Sequence, residues 1–130
     1  MVWDGRVTPA EWHLHFDALL ANPEFPPGPS WLVDARRANV DAFDETELVR
    51  MGARVNEHAA RMRGIRMAVV PNDAWDKASK LLDDEVKVER LTTIQFAGFD
   101  TACLWLGIPI EATHAIVGDL RARPANVSDV

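Results

Sequence analysis

Three short stretches of the chain carry their bulkiest apolar residues at alternate positions: residues 31–36, 65–70 and 92–97. The first reads Trp31-Leu32-Val33-Asp34-Ala35-Arg36 and follows the turn-forming Pro27-Gly28-Pro29. Enrichment in Trp, Val, Ile and Phe between turn residues predicts a β-strand in each. The segments between them keep a different period. Trp12, Phe16, Leu19 and Leu20 fall at i, i+4, i+7 and i+8, one face of a helix. Leu48, Met51, Gly52, Val55, Ala59 and Met62 predict the buried stripe of the longest helix, with Arg50, Arg54, Glu57 and Arg61 on its solvated side. Trp75, Ala78 and Leu82 share a face of a third helix, flanked by Leu81. Residues 100–106 predict a short helix stopped by Gly107, and Ala112, Ile116 and Leu120 a last stripe within residues 111–123.

Local chemistry marks the ends of these elements. Thr8-Pro9-Ala10-Glu11 is a capping box with proline at the first helical position. Asp44 and Asn72 are placed to cap the next two helices, and Gly64 to end the longest. The run Asp83-Asp84-Glu85 puts acids at a helix C-terminus, against the dipole, and predicts fraying there. Residues 1–3 predict a short edge strand ended by the turn dipeptide Asp4-Gly5. Residues 23–29, rich in proline, predict a rigid extended crossover, and residues 36–43 a loop. The chain is expected to form a single domain over residues 1–123, with residues 124–130 a flexible tail.

Strands alternating with helices imply an α/β fold: a mainly parallel sheet of about four strands joined by right-handed β-α crossovers, with an extra C-terminal helix. The alternation adds a constraint. Trp31, Val33, Ala35, Ile65, Met67, Val69, Ile94 and Phe96 are assigned to one face. Asp34, Arg66, Thr93 and Gln95 mark the other, where only Leu32, Ala68 and Val70 are apolar. Parallel sheets covered on both sides tend to be apolar on both. The expectation is therefore helices mostly on one face and a half-open second face, with Asp34, Arg66, Thr93 and Gln95 the more exposed set.

Composition narrows function by exclusion. A net charge of −6 over 130 residues is the opposite of a nucleic-acid footprint and unsuited to anionic membranes. The single Cys103 cannot form an internal disulfide and fits a reducing cytoplasm. No run of about 18 apolar residues predicts a membrane span. His13 and His15 diverge on their helix, and His58 and His114 stand apart, so no metal site is predicted. Cys103 lies in an apolar helix and reads as a core residue. Phosphate-binding glycine loops and a Gly-x-Ser-x-Gly nucleophile are both missing, so neither cofactor nor catalytic residue is expected.

Several stretches together carry a resemblance: residues 5–12 (Gly-Arg-Val-Thr-Pro-Ala-Glu-Trp), Pro26-Pro27-Gly28 leading into Trp31-Leu32-Val33-Asp34, Ala68-Val69-Val70-Pro71 before Trp75, and Thr101-Ala102 with Trp105-Leu106-Gly107. In this order they resemble the SpoIIAA-like group over residues 5–107. That group has the STAS-like fold of anti-sigma-factor antagonists and a topology related to CRAL-TRIO lipid carriers. The resemblance implies a β-α superhelix with helices mostly on one side. It also implies a phospho-switched binding protein, with a serine at a helix N-terminus after a strand. This chain departs there: residues 36–44 contain no Asp-Ser-Ser, and the nearest hydroxyl is Thr46. A phosphate on Thr46 would add about two negative charges beside Asp44, Glu45 and Glu47. Its role as a helix-starting threonine is preferred.

Ligands of parallel sheets gather at the carboxyl ends of the strands. Those ends offer Asp34, Arg36, Asn39, Asn72, Asp73 and Asp100, a candidate rim for a partner loop or small anion, although such residues also cap helices and close turns. The expectation from sequence is a non-enzymatic binding or regulatory domain acting through a protein partner. A carrier of an apolar small molecule, suggested by five tryptophans, comes second. An enzyme using Asp34 and Asp73 comes last. An exposed edge beside the first strand and the stripe through Ile116 and Leu120 suggest a homodimer contact.

Overall fold

The structure, a computed structural model, describes residues 1–25, 30–123 and, for the backbone only, 127–128. The proline crossover at residues 26–29 and all of the expected tail except residues 127–128 lie outside the described residues. The elements run β1 (Val2–Arg6), α1 (Pro9–Ala21), β2 (Ser30–Asn39), α2 (Glu45–Glu57), α3 (Ala59–Met62), β3 (Arg66–Val70), α4 (Asp73–Glu85), β4 (Thr92–Gln95), α5 (Phe99–Leu106), α6 (Ile110–Arg121) and β5 (Val127–Ser128). The sheet order is β4-β3-β2-β1-β5. The first four strands are parallel, and β5 pairs antiparallel with β1. The expected tail therefore includes two residues that extend the sheet, and they occupy the edge of β1 that was expected to lie open.

The predicted helix starts form as their chemistry dictates. Thr8 Oγ1 accepts the Glu11 N–H, Asp44 Oδ1 the Glu47 N–H and Asn72 Oδ1 the Trp75 N–H, at 3.2, 2.9 and 2.9 Å. The strands are longer than expected where pairing continues past an apolar run. β1 passes through Asp4 and Gly5, and β2 runs on to Asn39 through residues assigned to a loop. Between Val2↔Asp34 and Asp4↔Arg37 the register slips by one residue. That extra residue in β2 changes the phase of alternation, so Ala35 and Ala38 both reach the same core. The longest helix is broken at His58, whose backbone leaves helical geometry, giving α2 and the short α3.

Successive strands step in one direction across the sheet. Crossovers of one hand then place all their helices on one face. α1 to α4 do lie together, closing a core through Trp3, Trp12, Phe16, Val33, Met51, Val69 and Trp75. The chain then passes the β4 edge, and α5 and α6 cover the opposite face. There Val2, Leu32, Ala68 and Val70 meet Phe99, Ala102, Cys103, Leu106, Val117 and Leu120. Helices are mostly on one face, but the half-open second face is overturned: Leu32, Ala68 and Val70 are the floor of a second core.

Two expectations about the faces fail, one of exposure and one of phase. Asp34, expected among the exposed set, has no exposed surface. In β4 the phase is reversed: Thr93 lies beside Met67 and Gln95 beside Val69, while Ile94 pairs with Ala68 and is 38 % exposed. A shift of one residue turns every side chain of a strand over, and an edge strand with one neighbour has little to resist it. The last helix differs likewise. Its buried positions are Thr113, Val117 and Leu120, so Ala112 and Ile116 of the expected stripe face outward.

Candidate functional site

Between the sheet and α1, α2, α3 and α4 lies a cavity of about 340 Å³. Pockets for small molecules run from roughly 300 to 1,000 Å³, and an apolar hole of about 150 Å³ already admits benzene. Its floor is the face of the sheet bearing Trp3, Trp31, Val33, Met67 and Val69, with Thr93 and Gln95 from the reversed β4. Its walls include Trp12, Phe16 and Leu19 of α1, Met51 and Val55 of α2, and Trp75 and Leu82 of α4. Four of the five tryptophans are here. Trp105 is on the other face, where the Arg66 guanidinium lies 4.4 Å from its ring.

A few polar groups interrupt this lining. The indole Nε1 atoms of Trp3 and Trp75 are buried without a hydrogen-bond acceptor, as is Gln95 Oε1 without a donor. Gln95 Nε2 donates to Ser79 Oγ, which in turn donates to the Asp76 carbonyl. Buried N–H groups normally find a partner, and one left unmade costs about 1–3 kcal/mol. Asp83 is the acidic side chain of the lining; no lysine or arginine contributes among the described residues. Burial, then the neighbouring Asp84 charge, push the Asp83 carboxyl above its ordinary value.

A second polar cluster sits on the opposite face. Asp34 projects from the centre of β2 into the core under α5 and α6. Arg36 Nε and Nη2 donate to its two oxygens at 2.9 Å each, the Arg36 backbone N–H to Oδ1 at 3.2 Å, and Arg121 Nη2 of α6 to Oδ2 at 2.8 Å. Burial is the largest influence on the Asp34 carboxyl and pushes its pKa up. The Arg36 hydrogen bonds and the charges of both arginines together outweigh it and hold the group below the usual carboxylate range. The Arg36 guanidinium also lies 4.7 Å from the centre of the Phe99 ring, and His114 Nε2 meets Asp100 Oδ1 at 2.7 Å. Cys103 is buried alongside; burial first, then Asp100, raise its thiol, which keeps the proton at neutral pH.

The candidate rim is thus divided. Asp34 and Arg36 form an internal ion pair, and Asp100 pairs with His114. Asn39 Oδ1 accepts the Asp41 N–H in a turn. Asn72, besides capping α4, donates to the Ala38 carbonyl at 2.6 Å and ties the end of β3 to β2. Asp73 is exposed in the first turn of α4, and Thr46 is exposed in the first turn of α2. Of the two suggested dimer contacts, Ile116 is 42 % exposed while Leu120 is 4 % exposed against its own chain. Sequence reasoning singled out none of Trp3, Trp75, Ser79 or Gln95 as site residues; the number of tryptophans was the signal that pointed toward them.

Among the described residues no three His, Cys, Asp or Glu side chains are grouped to hold a metal ion, and no single helix is long and apolar enough to cross a membrane. Comparison with protein-family models, with curated proteins and with solved structures finds no match.

Proposed function

We propose that this protein binds an apolar small molecule in the cavity between its sheet and its first four helices. The observation that carries the reading is the cavity itself: it has the volume of a ligand pocket, is lined mainly by aromatic and aliphatic side chains, and holds three buried polar atoms without partners. Well-packed interiors contain few voids larger than a water molecule. The likeness of residues 5–107 to the SpoIIAA-like group, whose topology is related to lipid carriers, supports the same reading. An enzymatic use of Asp34 is disfavoured, because its oxygens are engaged by two arginines and have no path to solvent. A protein-partner role is the second reading, favoured by Leu104 and Ile116, large apolar side chains exposed on α5 and α6.

The uncharged fluorophore N-phenyl-1-naphthylamine tests the first reading. Saturable binding at one site per chain is expected, with loss of that binding in Val69→Phe, which places a ring in the cavity. Native mass spectrometry of the purified protein would show any ligand carried from the cell. A folded protein with no saturable binding, or binding untouched by Val69→Phe, would rule against the cavity as the site.

A further inference from the structure

The three lining side chains Trp3, Trp75 and Gln95, each with a buried polar atom that has no partner, are gathered at one end of the cavity. Register places Val33, Val69 and Gln95 in one row across the sheet, and Trp31, Met67 and Thr93 in a row two residues nearer the amino ends of the strands. Trp3 lies on the carboxyl side of the first row, since Val2 pairs with Asp34. Trp75 joins it there: α4 begins just after the end of β3, Asn72 anchors that beginning to the Ala38 carbonyl, and the Trp3 and Trp75 rings are 4.7 Å apart. Ser79 follows Trp75 by one helical turn and holds the Gln95 amide. At the amino end the lining includes Leu19, Trp31, Met62, Met67, Val88 and Leu91, with the Thr93 hydroxyl and the Asp83 carboxyl as polar groups.

The donors and the acceptor at the carboxyl end differ in kind. Trp3 and Trp75 are 3 % and 4 % exposed, and each offers an indole N–H, a donor with no acceptor role. Gln95 Oε1 offers an acceptor, and its orientation follows from Nε2 being used on Ser79. Among the described residues no lysine or arginine lines the cavity; His15 of α1 is the basic side chain of the lining, and Asp83 adds an acidic group at the exposed rim. A carboxylate seated beside Trp3, Trp75 and Gln95 would lose its hydration with no lysine or arginine to offset the loss. A purely apolar molecule would leave all three atoms unpaired.

We infer that the ligand is an uncharged amphiphile, with a head group that both accepts and donates a hydrogen bond, a primary carboxamide or a hydroxyl, seated between Trp3, Trp75 and Gln95, and with an apolar body pointing toward Trp31 and Met67. This rests on the proposed use of the cavity and adds to it the chemistry of the head. At about 30 Å³ for each water-sized group, the volume has room for on the order of ten non-hydrogen atoms.

Displacement of N-phenyl-1-naphthylamine from the full chain by three matched compounds is the test. Octanamide carries acceptor and donor, 2-nonanone an acceptor alone, and octanoate a charge. Octanamide is expected to displace the fluorophore at concentrations about tenfold below octanoate and about fivefold below 2-nonanone. Gln95→Leu should remove the gap between amide and ketone. Trp75→Phe should weaken both while leaving the fluorophore bound, which also shows that the variant is folded. Octanoate equal to or better than octanamide, or a ketone equal to the amide in the unaltered protein, overturns the assignment of the head group and leaves the cavity as an apolar site. Failure of the fluorophore itself to bind overturns both readings, and the comparison within the unaltered protein stands even if a variant misfolds.

Discussion

Asp34 has no exposed surface, and two guanidinium groups decide whether it carries a charge there. Removing one member of a buried ion pair leaves its partners uncompensated and costs about 3–5 kcal/mol. Arg36 and Arg121 each keep some contact with water, so Asp34→Ala is expected at the low end, about 3 kcal/mol, read from the urea midpoint at neutral pH. The pH dependence has a definite sign. The folded pKa of Asp34 lies below its unfolded value, so its contribution is full above the unfolded pKa. It declines as pH falls between the two values and is gone below the folded one. Urea midpoints between pH 7 and 3 should therefore fall more steeply for the unaltered protein than for Asp34→Asn, which has no proton to take up. Parallel curves would mean that other carboxylates dominate the acid limb.

At the scale of elements, α2 and α4 touch without room between them. A methyl group on Gly52 would meet the Glu85 Cβ at 2.6 Å. Asn56, one turn on, donates to the Glu85 carbonyl at 2.8 Å and accepts the Lys87 N–H at 2.7 Å, closing the C-terminus of α4. The acids at residues 83–85 therefore end a formed helix instead of fraying, with a cap supplied from another helix. Gly52→Ala gains about 1 kcal/mol of helix propensity but must push α4 away, and a net destabilisation of about 1–2 kcal/mol is expected by thermal unfolding. Greater stability in that variant would show that α4 moves aside freely. Arg61 is a similar case. Assigned by pattern to a solvated face, it donates to the carbonyls of Leu20, Asn22 and Phe25 and binds down the end of α1. These contacts mark the boundary of what could be read from sequence. Thr8, Asp44 and Asn72 were legible because a cap acts on an amide three residues ahead. The phase of β4, the outward turn of Ile116 and the burial of Asp34 were not, because each is decided by a strand or helix far away in the chain. The candidate rim was legible as residue types at strand ends, but whether Asn72 faces a ligand or the Ala38 carbonyl depends on how β2 and β3 are paired. The cavity left still less trace, since its lining alternates like any core.

The whole molecule is one sheet between two cores that are not filled alike. The core under α5 and α6 closes around Ala68, Val70, Ala102 and Cys103, whereas the core under α1 to α4 contains the cavity. A ligand bound to the folded chain alone stabilises it by mass action, about 2.7 kcal/mol at a hundred times its dissociation constant. Octanamide should accordingly raise the melting temperature in a concentration-dependent way, and an unchanged melting curve would contradict binding in the cavity. The two cores also differ in when they can form. β1 to β4 and the helices between them join neighbours along the chain, but the pairing of Arg121 with Asp34 spans 87 residues. During synthesis the strand bearing Asp34 is complete long before its second arginine exists, and Arg36, two residues away, is the partner already at hand. Seating of α6 is therefore expected to be a late event, on the native side of the folding barrier. Arg121→Ala should raise the unfolding rate about tenfold and leave the refolding rate nearly unchanged in a chevron experiment. A refolding rate slowed by the same factor would place α6 in the nucleus. The expected role of Arg121 is that of a latch, doing little to help the chain find its fold and much to determine how long the fold lasts.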